Sequence, residues 1–180
     1  MLPKVKFKVR EGDIGEDGGC TFSNGSWTIK TTDDYFKGKK VILFSLPGAF
    51  TPTCTSTQLP GFENNIDKFK EHYIDEIYCM SVNDSFVMNA WANKEGIKNV
   101  KVIPDGSGVF TKGMNMLVKK DDKGFGERSW RYAAIIDNGV VEKMFEEPGK
   151  EDNCASDPYG ESSPETVMKY LNMKNGDDVL

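Results

Sequence analysis

A single thiol near the start of a predicted helix is the first candidate for chemistry in this sequence. The stretch SLPGAFTPTCTSTQLPGF (45–62) follows an apolar run and places Thr51, Pro52 and Cys54 where a helix should begin. With Thr51 as the N-cap, Cys54 falls in the first turn, and the Thr51 hydroxyl could accept from the Cys54 backbone N–H and donate its own proton to the sulfur. Free amides at a helix start stabilise a thiolate, the nucleophilic form. This spacing predicts a reactive sulfur, although an isolated T-P-x-C would more often hold a packing cysteine.

The other cysteines and the histidine argue against several kinds of site. Cys20, Cys54, Cys79 and Cys154 lie far apart and form no CxxC pair, and His72 is the only histidine of the chain. A structural zinc site needs closely spaced ligand pairs, so we expect no metal. A disulfide framework is typical of short secreted chains, which this one does not resemble. A cysteine protease would require His72, which lies in a charged and helical stretch.

Composition and charge favour a globular protein of one domain. The 180 residues are 38% hydrophobic and 28% charged, which is ordinary for a domain that buries a core. The net charge of -5 and the pI of about 5.0 argue against a nucleic-acid partner, which would require a basic face. No apolar run approaches the ~18 residues of a membrane span, and the N-terminus lacks a signal-peptide core. We expect a cytoplasmic protein, with residues 1–172 as its domain and 173–180 as a short polar tail.

Apolar patterns predict alternating strands and helices around Cys54. Alternation at 5–10 indicates a strand, and the apolar runs at 39–47 and 76–83 indicate buried strands. A helix from Thr51 towards His72, kinked at Pro60, is expected between these two runs. Caps and turns predict the remaining elements: a helix from Asp84 to Gly96, a strand and turn in VKVIPDGSG, a hairpin at Asn138-Gly139 within 131–145, and a helix starting at Ser163 and Pro164.

This order of elements predicts an α/β fold with parallel strands, right-handed crossovers and an antiparallel edge. It is compatible with a thioredoxin-like three-layer sandwich that has a mixed central sheet and added N-terminal strands. The pattern by itself fits other α/β folds as well. In each of them, the helix that carries Cys54 follows directly on a buried strand.

Several motifs together resemble the peroxiredoxin family. PGAFTPTC places Pro47, Thr51 and Cys54 in the P-x-x-x-T-x-x-C pattern of that family. Longer segments resemble its type II, peroxiredoxin-5-like subfamily, and especially the peroxiredoxin part of bacterial peroxiredoxin–glutaredoxin fusions: FSLPGAFTPTC, LPGF, SVNDSFVMNAW, IPDGSG and RSWRYAAIIDNGVVEKMFEEP. The resemblance covers about residues 3–172 and implies the thioredoxin-like fold.

The resemblance implies a thiol peroxidase and gives roles to the matching residues. Cys54 would attack the terminal oxygen of a hydroperoxide and become a sulfenic acid, with release of water or an alcohol. The breaking O–O bond develops charge and needs fixed donors, for which the Thr51 hydroxyl and the Cys54 amide are candidates. Pro47 would shield the thiolate from water. Arg131 opens the strand RYAAII and aligns with the active-site arginine of the family, whereas Arg128 is expected to be a solvated loop charge.

Other residues near these motifs have weaker claims to a role. Gln58 stands where many relatives carry a histidine; it can hydrogen-bond to a neighbour but cannot titrate, and a plain polar helix residue is an equally good interpretation. Phe125, together with Trp91, Met114 and Met116, could line a pocket or a subunit contact. Core packing is the favoured interpretation for each of these four.

A sulfenic acid has to be trapped by a thiol before further oxidation, and two schemes stay open. Cys154 lies in the polar loop GKEDNCASDPYGESSP, expected to be exposed and mobile, and resembles in position the resolving cysteine of atypical two-cysteine members. Many close relatives lack a cysteine there and use glutathione and glutaredoxin directly, and the resemblance to the fusions favours this scheme. Cys79 is expected to be inert packing, and Cys20 is a loop thiol without an assigned role.

Partners and alternatives follow from the same considerations. The expected substrate is a hydroperoxide, the expected reductant is glutathione with glutaredoxin or else thioredoxin, and the expected assembly is a homodimer. No bound cofactor, metal, nucleic acid or membrane is expected. Two other classes stay open from the residues alone. One is a thioredoxin-like disulfide oxidoreductase, which normally needs a second cysteine in CTST, and the other is a non-catalytic binding module on the same fold.

Overall fold

The computed structural model describes residues 1–12 and 25–176, so Cys20 lies outside the described residues. In chain order, the strands are β1 (Lys6–Glu11), β2 (Ser26–Thr31), β3 (Lys40–Ser45), β4 (Glu76–Ser81), β5 (Lys101–Pro104), β6 (Leu117–Lys119), β7 (Glu127–Ser129), β8 (Tyr132–Asp137) and β9 (Val140–Glu146). The α-helices are α1 (Thr32–Phe36), α2 (Leu59–Asn64), α3 (Ile66–Glu71), α4 (Ser85–Lys94), α5 (Val109–Gly113) and α6 (Pro164–Lys174). Two turns of other kinds are a π-helical turn at Cys54–Gln58 and a 3₁₀ turn at Asp121–Lys123. Within the described ranges, no helix combines the length and the apolar character needed to cross a membrane.

The central sheet is mixed and has the strand order β5-β4-β3-β8-β9. Strands β3, β4 and β5 run parallel, while β8 is antiparallel to β3 and β9 is antiparallel to β8. The hairpin turn between β8 and β9 is formed by Asn138 and Gly139, which both have positive φ values, 46° and 78°. Helices pack on both faces of the sheet. The predicted thioredoxin-like three-layer α/β sandwich is therefore confirmed.

Alternation along β3 divides the core into two clusters, one on each face of the sheet. Ile42 and Phe44 belong to the cluster that contains Cys54, whereas Val41 and Leu43 belong to the other. Helices α2, α3, α4 and α6 contribute to the first cluster, and α1 and α5 contribute to the second. These four strand residues are fully buried, and each contributes about 1.5–3 kcal/mol to folding. The packed face of a central strand thus fixes the position of Cys54.

The helix that carries Cys54 is interrupted differently from the prediction. It contains the π-helical turn Cys54–Gln58, continues as α2, and breaks at Asn65 rather than at Pro60. Proline has no N–H to donate to the carbonyl four residues earlier, and its ring crowds that carbonyl. A wider turn placed just before Pro60 accommodates both effects, with the N–H of Leu59 donating to the carbonyl of Cys54.

The caps predicted for α4 and α6 are present. Asp84 accepts the N–H of Val87 at the start of α4, and Ser163 accepts the N–H of Thr166 at the start of α6. Gly96 follows α4 with a φ of 63°, the left-handed conformation that ends many helices. The division into a domain and a polar tail stays a prediction, because residues 177–180 lie outside the described ranges.

Strands β1 and β2 form an added antiparallel hairpin at the N-terminal side. The guanidinium carbon of Arg10 lies 5.1 Å from the ring centroids of both Trp27 and Phe86, and the Arg10 backbone N–H donates to the hydroxyl of Ser85. These contacts hold the hairpin against α4. Strand β2 was not predicted: its apolar alternation consists of only Trp27 and Ile29, and both side chains are about half-exposed.

Glu63 connects α2 to the loop that precedes β5. Its carboxylate accepts the backbone N–H groups of Lys98, Asn99 and Val100 at 2.7 to 3.2 Å. Burial by itself would raise the pKa of Glu63, but these hydrogen bonds favour the ionised form and lower the pKa overall. Because the pKa is lower in the folded than in the unfolded chain, the carboxylate stabilises the fold at neutral pH and loses this contribution in acid.

We expect Glu63→Gln to lower the free energy of unfolding at neutral pH by about 1 kcal/mol, because one amide oxygen replaces a carboxylate that accepts several N–H groups in a half-exposed place. The difference from wild type should narrow as the pH falls from about 5 to about 3, where the wild-type carboxylate takes up a proton. Urea unfolding followed by circular dichroism measures the free energy of unfolding of both proteins at each pH. Glu71→Gln, on the exposed Glu71 of α3, is the control. Equal effects of the two substitutions, or a difference independent of pH, would contradict the expectation.

Candidate active site

Cys54 lies just beyond the carboxyl end of β3, in the first turn of the following helix. Pro52 is the first helical residue, so Cys54 occupies the predicted third position. Only 1% of Cys54 is exposed, and it belongs to the core cluster on the α2 side of the sheet. A thiolate enclosed in this way has little water around it, so it requires a cation or hydrogen-bond donors from the protein.

Arg131 supplies that cation. Its Nη1 donates to the sulfur of Cys54 at 3.3 Å. The pairing of β3 with β8 explains the contact, because Ser45 at the end of β3 lies opposite Tyr132 at the start of β8. Arg131 therefore stands beside the point where the chain leaves β3 for Cys54. Of the two candidate arginines, Arg131 is the one that the fold brings to the thiol.

Other contacts fix the guanidinium of Arg131 on its remaining sides. Nη1 also donates to Oε1 of Gln58 at 2.6 Å, and Nη2 donates to the two carboxylate oxygens of Asp157 at 2.8 and 2.9 Å. The ring of Tyr159 lies 5.8 Å from the guanidinium carbon. Burial by itself would lower the pKa of Arg131, but the negative charges of Cys54 and Asp157 raise it overall. The guanidinium thus keeps its charge in an enclosed place.

One donor of this guanidinium is unused. Nε of Arg131 is buried and has no hydrogen-bond partner among the described residues. A buried donor without an acceptor costs about 1–3 kcal/mol, and an oxygen atom bound beside it removes that cost. This N–H is therefore available to donate to an acceptor that reaches the guanidinium.

Gln58 is fully buried and links the guanidinium to a second loop. Its Oε1 accepts from Arg131, and its Nε2 lies 3.5 and 3.4 Å from the carbonyl and hydroxyl oxygens of Ser162. The Ser162 hydroxyl in turn donates to the carboxylate of Glu147 at 2.8 Å. The hydrogen-bonding neighbour predicted for Gln58 is thus Arg131, the candidate active-site arginine. On its other side, Gln58 is held by the 147–162 segment.

Thr51 is placed differently from the prediction. Its hydroxyl donates to the carbonyl of Gly48 at 2.6 Å, so its proton is not directed at the sulfur. Phe50, with a φ of 65°, turns the chain and brings that carbonyl within reach. Since a hydroxyl has a single proton, the side chain of Thr51 closes the turn before Cys54 and keeps only its oxygen lone pairs for other contacts.

Arg128 is not the solvated loop charge that the sequence suggested. It is half-buried, its Nη1 donates to the carbonyl of Pro47 at 3.2 Å, and its Nε donates to the carbonyl of Phe125 at 3.1 Å. The Phe125 ring lies 5.3 Å from the same guanidinium carbon. A Cβ atom on Gly48 would lie 2.7 Å from Nη1, so this close approach requires glycine. Arg128 and Phe125 therefore support the buried Pro47 and the loop before Cys54.

Cys154 also departs from the prediction of an exposed, mobile position. It is 6% exposed and belongs to the cluster on the face of the sheet opposite to that of Cys54. Its sulfur lies 3.5 Å from the hydroxyl of Ser156. The loop is tied to β6, where Asp152 accepts the N–H of Lys119 at 2.8 Å, and this explains the burial. A disulfide with Cys54 would require the loop to leave this position.

Cys79 lies in β4, fully buried in the same cluster as Cys54. Burial, with a further contribution from the charge of Cys54, raises the pKa of the Cys79 thiol well above its ordinary value, and Arg131 offsets only part of this. Cys79 is therefore a protonated packing residue at neutral pH, in agreement with its predicted inert character.

Three of the four large side chains that were expected to pack in the core do so, whereas Phe125 belongs to neither core cluster and lies on the guanidinium of Arg128. Trp91 and Met116 are buried in the core, and Met114 is partly buried. Trp91 also has a polar contact, since its Nε1 donates to the hydroxyl of Thr55 at 3.1 Å. This hydrogen bond holds the residue that follows Cys54.

Comparison with known proteins gives the family. The Redoxin family profile matches residues 21–159. A relative from Rhizobium etli named peroxiredoxin is 61% identical over 171 residues, which cover 95% of this chain and 94% of the relative. The chain belongs to the peroxiredoxin family.

Solved peroxiredoxin structures share the fold over nearly the whole chain. The Plasmodium falciparum antioxidant protein, described as a 1-Cys peroxiredoxin, has a TM-score of 0.88 at 40% identity, with 96% of this chain and 98% of that chain covered. Reduced Prx3 of Vibrio vulnificus, solved in complex with hydrogen peroxide, has a TM-score of 0.80 at 33% identity, with 97% and 94% covered. Peroxiredoxins are thiol-dependent peroxidases, so this chain is an oxidoreductase that acts on peroxide. Membership of this family makes the two earlier alternatives, a non-catalytic binding module and a thioredoxin-like disulfide oxidoreductase, unnecessary.

Three residues of the site were not found by sequence reasoning. Asp157 lies 26 positions after Arg131 in the turn-like segment SDPYG, and Ser162 and Glu147 flank the same loop. Polar residues are common in turns, so their types gave no signal. Their spacing from Arg131 follows no period of a strand or helix, and only the folded loop shows the contact.

We expect Cys79 to stay unmodified by iodoacetamide in the native peroxiredoxin at neutral pH and to react after unfolding in guanidinium chloride, because its thiol is enclosed and protonated. Timed labelling followed by peptide mass spectrometry measures this. Cys54 in the same digest is the internal comparison and should be labelled at least ~10-fold faster in the native protein. Labelling of Cys79 at the rate of Cys54 would show that burial does not protect it.

Proposed function

We propose that this peroxiredoxin reduces hydrogen peroxide and small organic hydroperoxides through Cys54, with Arg131 stabilising the thiolate and the breaking O–O bond. The observation that carries the proposal is the 3.3 Å contact between Arg131 Nη1 and the Cys54 sulfur in an enclosed site. The hydrogen peroxide complex of the related Vibrio vulnificus protein supports the choice of substrate.

In the proposed reaction, the thiolate of Cys54 attacks the terminal oxygen of the hydroperoxide. An S–O bond forms, the O–O bond breaks, and sulfur gives two electrons to the peroxide. The products are a sulfenic acid and an alkoxide or hydroxide, which takes up a proton to become an alcohol or water. Because negative charge passes from sulfur to the departing oxygen, the guanidinium of Arg131 stabilises the charge along this path.

The donors and the enclosure come from the turn around Cys54. The unused Nε of Arg131 and the backbone N–H of Cys54 would bind the peroxide oxygens. The hydroxyl of Thr51 donates to the Gly48 carbonyl, so its oxygen would accept a hydrogen bond from the O–H of the hydroperoxide. Pro47 is buried beside this turn and would keep water from the thiolate.

We propose glutathione with glutaredoxin as the reductant. The glutathione thiol would attack the sulfenic sulfur, so that an S–S bond forms and water leaves, and glutaredoxin would then restore the Cys54 thiol by thiol–disulfide exchange. The burial of Cys154 on the opposite face of the sheet makes the alternative, a Cys54–Cys154 disulfide reduced by thioredoxin, less favourable. The similar Plasmodium protein is described as a 1-Cys peroxiredoxin, which supports the same choice. The proposed cycle uses no bound cofactor or metal.

The assembly and the compartment are also proposals. We propose that the protein is cytoplasmic. As the resemblance implies, we also propose a homodimer in which a second copy covers the edge of the site. The exposed ring of Phe50, which directly precedes Thr51, supports this arrangement because it is an apolar surface beside the reactive turn.

A variant series tests the roles of the cysteine and the two arginines. Cys54→Ser should abolish peroxide consumption. Arg131→Gln should slow the oxidation of Cys54 by about 10²–10³-fold, because a charged donor at the reacting atoms is removed. Arg128→Gln should slow it by about tenfold or less, because Arg128 acts only through the Pro47 carbonyl. Stopped-flow consumption of hydrogen peroxide measures the rates, and turnover by Cys54→Ser or the reverse order of the arginine variants would overturn the proposal.

The reductant is tested by mass spectrometry of the protein after one equivalent of peroxide, without a reducing agent. We expect a Cys54 sulfenic acid that takes up one glutathione when it is added, because Cys154 is held away in its own cluster. Cys154→Ser should behave like wild type in this experiment. A Cys54–Cys154 disulfide in the wild-type protein would instead support the two-cysteine scheme.

A further inference from the structure

Arg131 has two anionic partners, and the reaction neutralises one of them. Its side chain is only 2% exposed, and the described residues that oppose its charge are Cys54 and Asp157. When Cys54 changes from thiolate to sulfenic acid, the guanidinium loses one negative neighbour. An enclosed charge without a counter-charge is strongly unfavourable, so the remaining partner determines whether Arg131 keeps its place.

We propose that Asp157 is a positioning residue of the peroxidase reaction, whose carboxylate holds the guanidinium of Arg131 in place while Cys54 alternates between charged and neutral forms. This inference rests on the role proposed above for Arg131. It adds a residue that makes no contact of its own with the sulfur among the hydrogen bonds of the described residues.

The contacts define the orientation of the guanidinium. Nη2 donates to both carboxylate oxygens of Asp157. Nη1 donates both to Oε1 of Gln58 and to the sulfur of Cys54. Because the guanidinium is planar, fixing Nη1 and Nη2 fixes the direction of Nε as well. Without Asp157, the group could rotate about its long side chain, and Nη1 would no longer be held at the sulfur.

Asp157 is itself 43% exposed, but the loop that carries it is anchored on both sides. After it, Glu147 accepts the N–H groups of Gly160 and Ser162 at 2.8 and 2.9 Å. Before it, Asp152 accepts the N–H of Lys119 in β6 at 2.8 Å. A positioning side chain needs such a rigid support, whereas an ordinary surface ion pair has none.

The same carboxylate also has an electrostatic effect that a merely structural residue would lack. The charged and titratable groups around the sulfur and its guanidinium are Arg131, Asp157, Cys79 and Tyr159. Of these, Asp157 is the carboxylate. Its negative charge opposes formation of the Cys54 thiolate, whereas the guanidinium that it holds favours the thiolate. Because these two effects oppose each other, the oxidation rate at full ionisation of Cys54 is the quantity that reports positioning.

The test compares Asp157→Asn with the matched control Glu151→Gln, which removes an equal charge from an exposed position of the same loop. The rate constant for oxidation of Cys54 by hydrogen peroxide is measured across pH, and the plateau at high pH reports positioning alone. We expect the plateau of Asp157→Asn to fall about tenfold below that of wild type. In an Arg131→Gln background, Asp157→Asn should change the plateau by less than twofold, because Asp157 acts through the guanidinium. Glu151→Gln should leave the plateau within twofold of wild type.

Asp157→Glu, which keeps the charge, should recover most of the plateau rate. Circular dichroism of each variant checks that the fold is intact. A plateau of Asp157→Asn within twofold of wild type, or an equal loss of rate in the Arg131→Gln background, overturns the inference. A wild-type protein that consumes no peroxide would instead overturn the proposed function, so the two failures are distinguishable.

Discussion

The guanidinium of Arg131 holds its positive charge where almost no water reaches it, and the sulfur of Cys54 lies 3.3 Å away. Neither group is stable there as an ion without the other or a substitute. A thiolate needs the cation, and the cation needs the thiolate or Asp157. This mutual dependence determines which other side chains must surround the pair, and it explains why the neighbours of Arg131 are acceptors.

The fold brings the pair together through strand register. Cys54 and Arg131 are separated by 77 positions in the chain, but Ser45 and Tyr132 are paired across β3 and β8. A register slip of one residue would turn the β8 side chains to the opposite face of the sheet and displace Arg131. The apolar packing of β3 and β8 on both faces prevents such a slip, since each face has its own buried cluster. The packing of the core therefore also fixes the position of Arg131 relative to Cys54.

Features set by local sequence could be predicted, and features set by loops could not. The helix start at Cys54, the cap at Asp84 and the hairpin at Asn138 follow from residue types at fixed spacing, and the structure contains them. The choice of Arg131 depended on a family resemblance, because two arginines stand within four residues in the sequence.

The departures at the site involve backbone carbonyls or tertiary contacts. Thr51 and Arg128 bind the carbonyls of Gly48 and Pro47, which no side-chain pattern reveals. Cys154 lies in a polar loop whose composition suggested exposure, but side-chain to backbone hydrogen bonds tie that loop to β6. The contact of Asp157 with Arg131 forms only when the same loop is folded over the guanidinium. Single-sequence patterns carry no information about such contacts.

The π-helical turn at Cys54–Gln58 affects how the reactive sulfur is placed relative to the helix that follows it. This turn contains one residue more than a regular α-helical turn, and one residue corresponds to about 100° of rotation around a helix axis. Rewinding it to regular geometry would swing the first turn by that angle and carry the sulfur away from the guanidinium, while α2 stayed in place. The winding of this single wide turn therefore sets the direction of the Cys54 sulfur relative to the guanidinium.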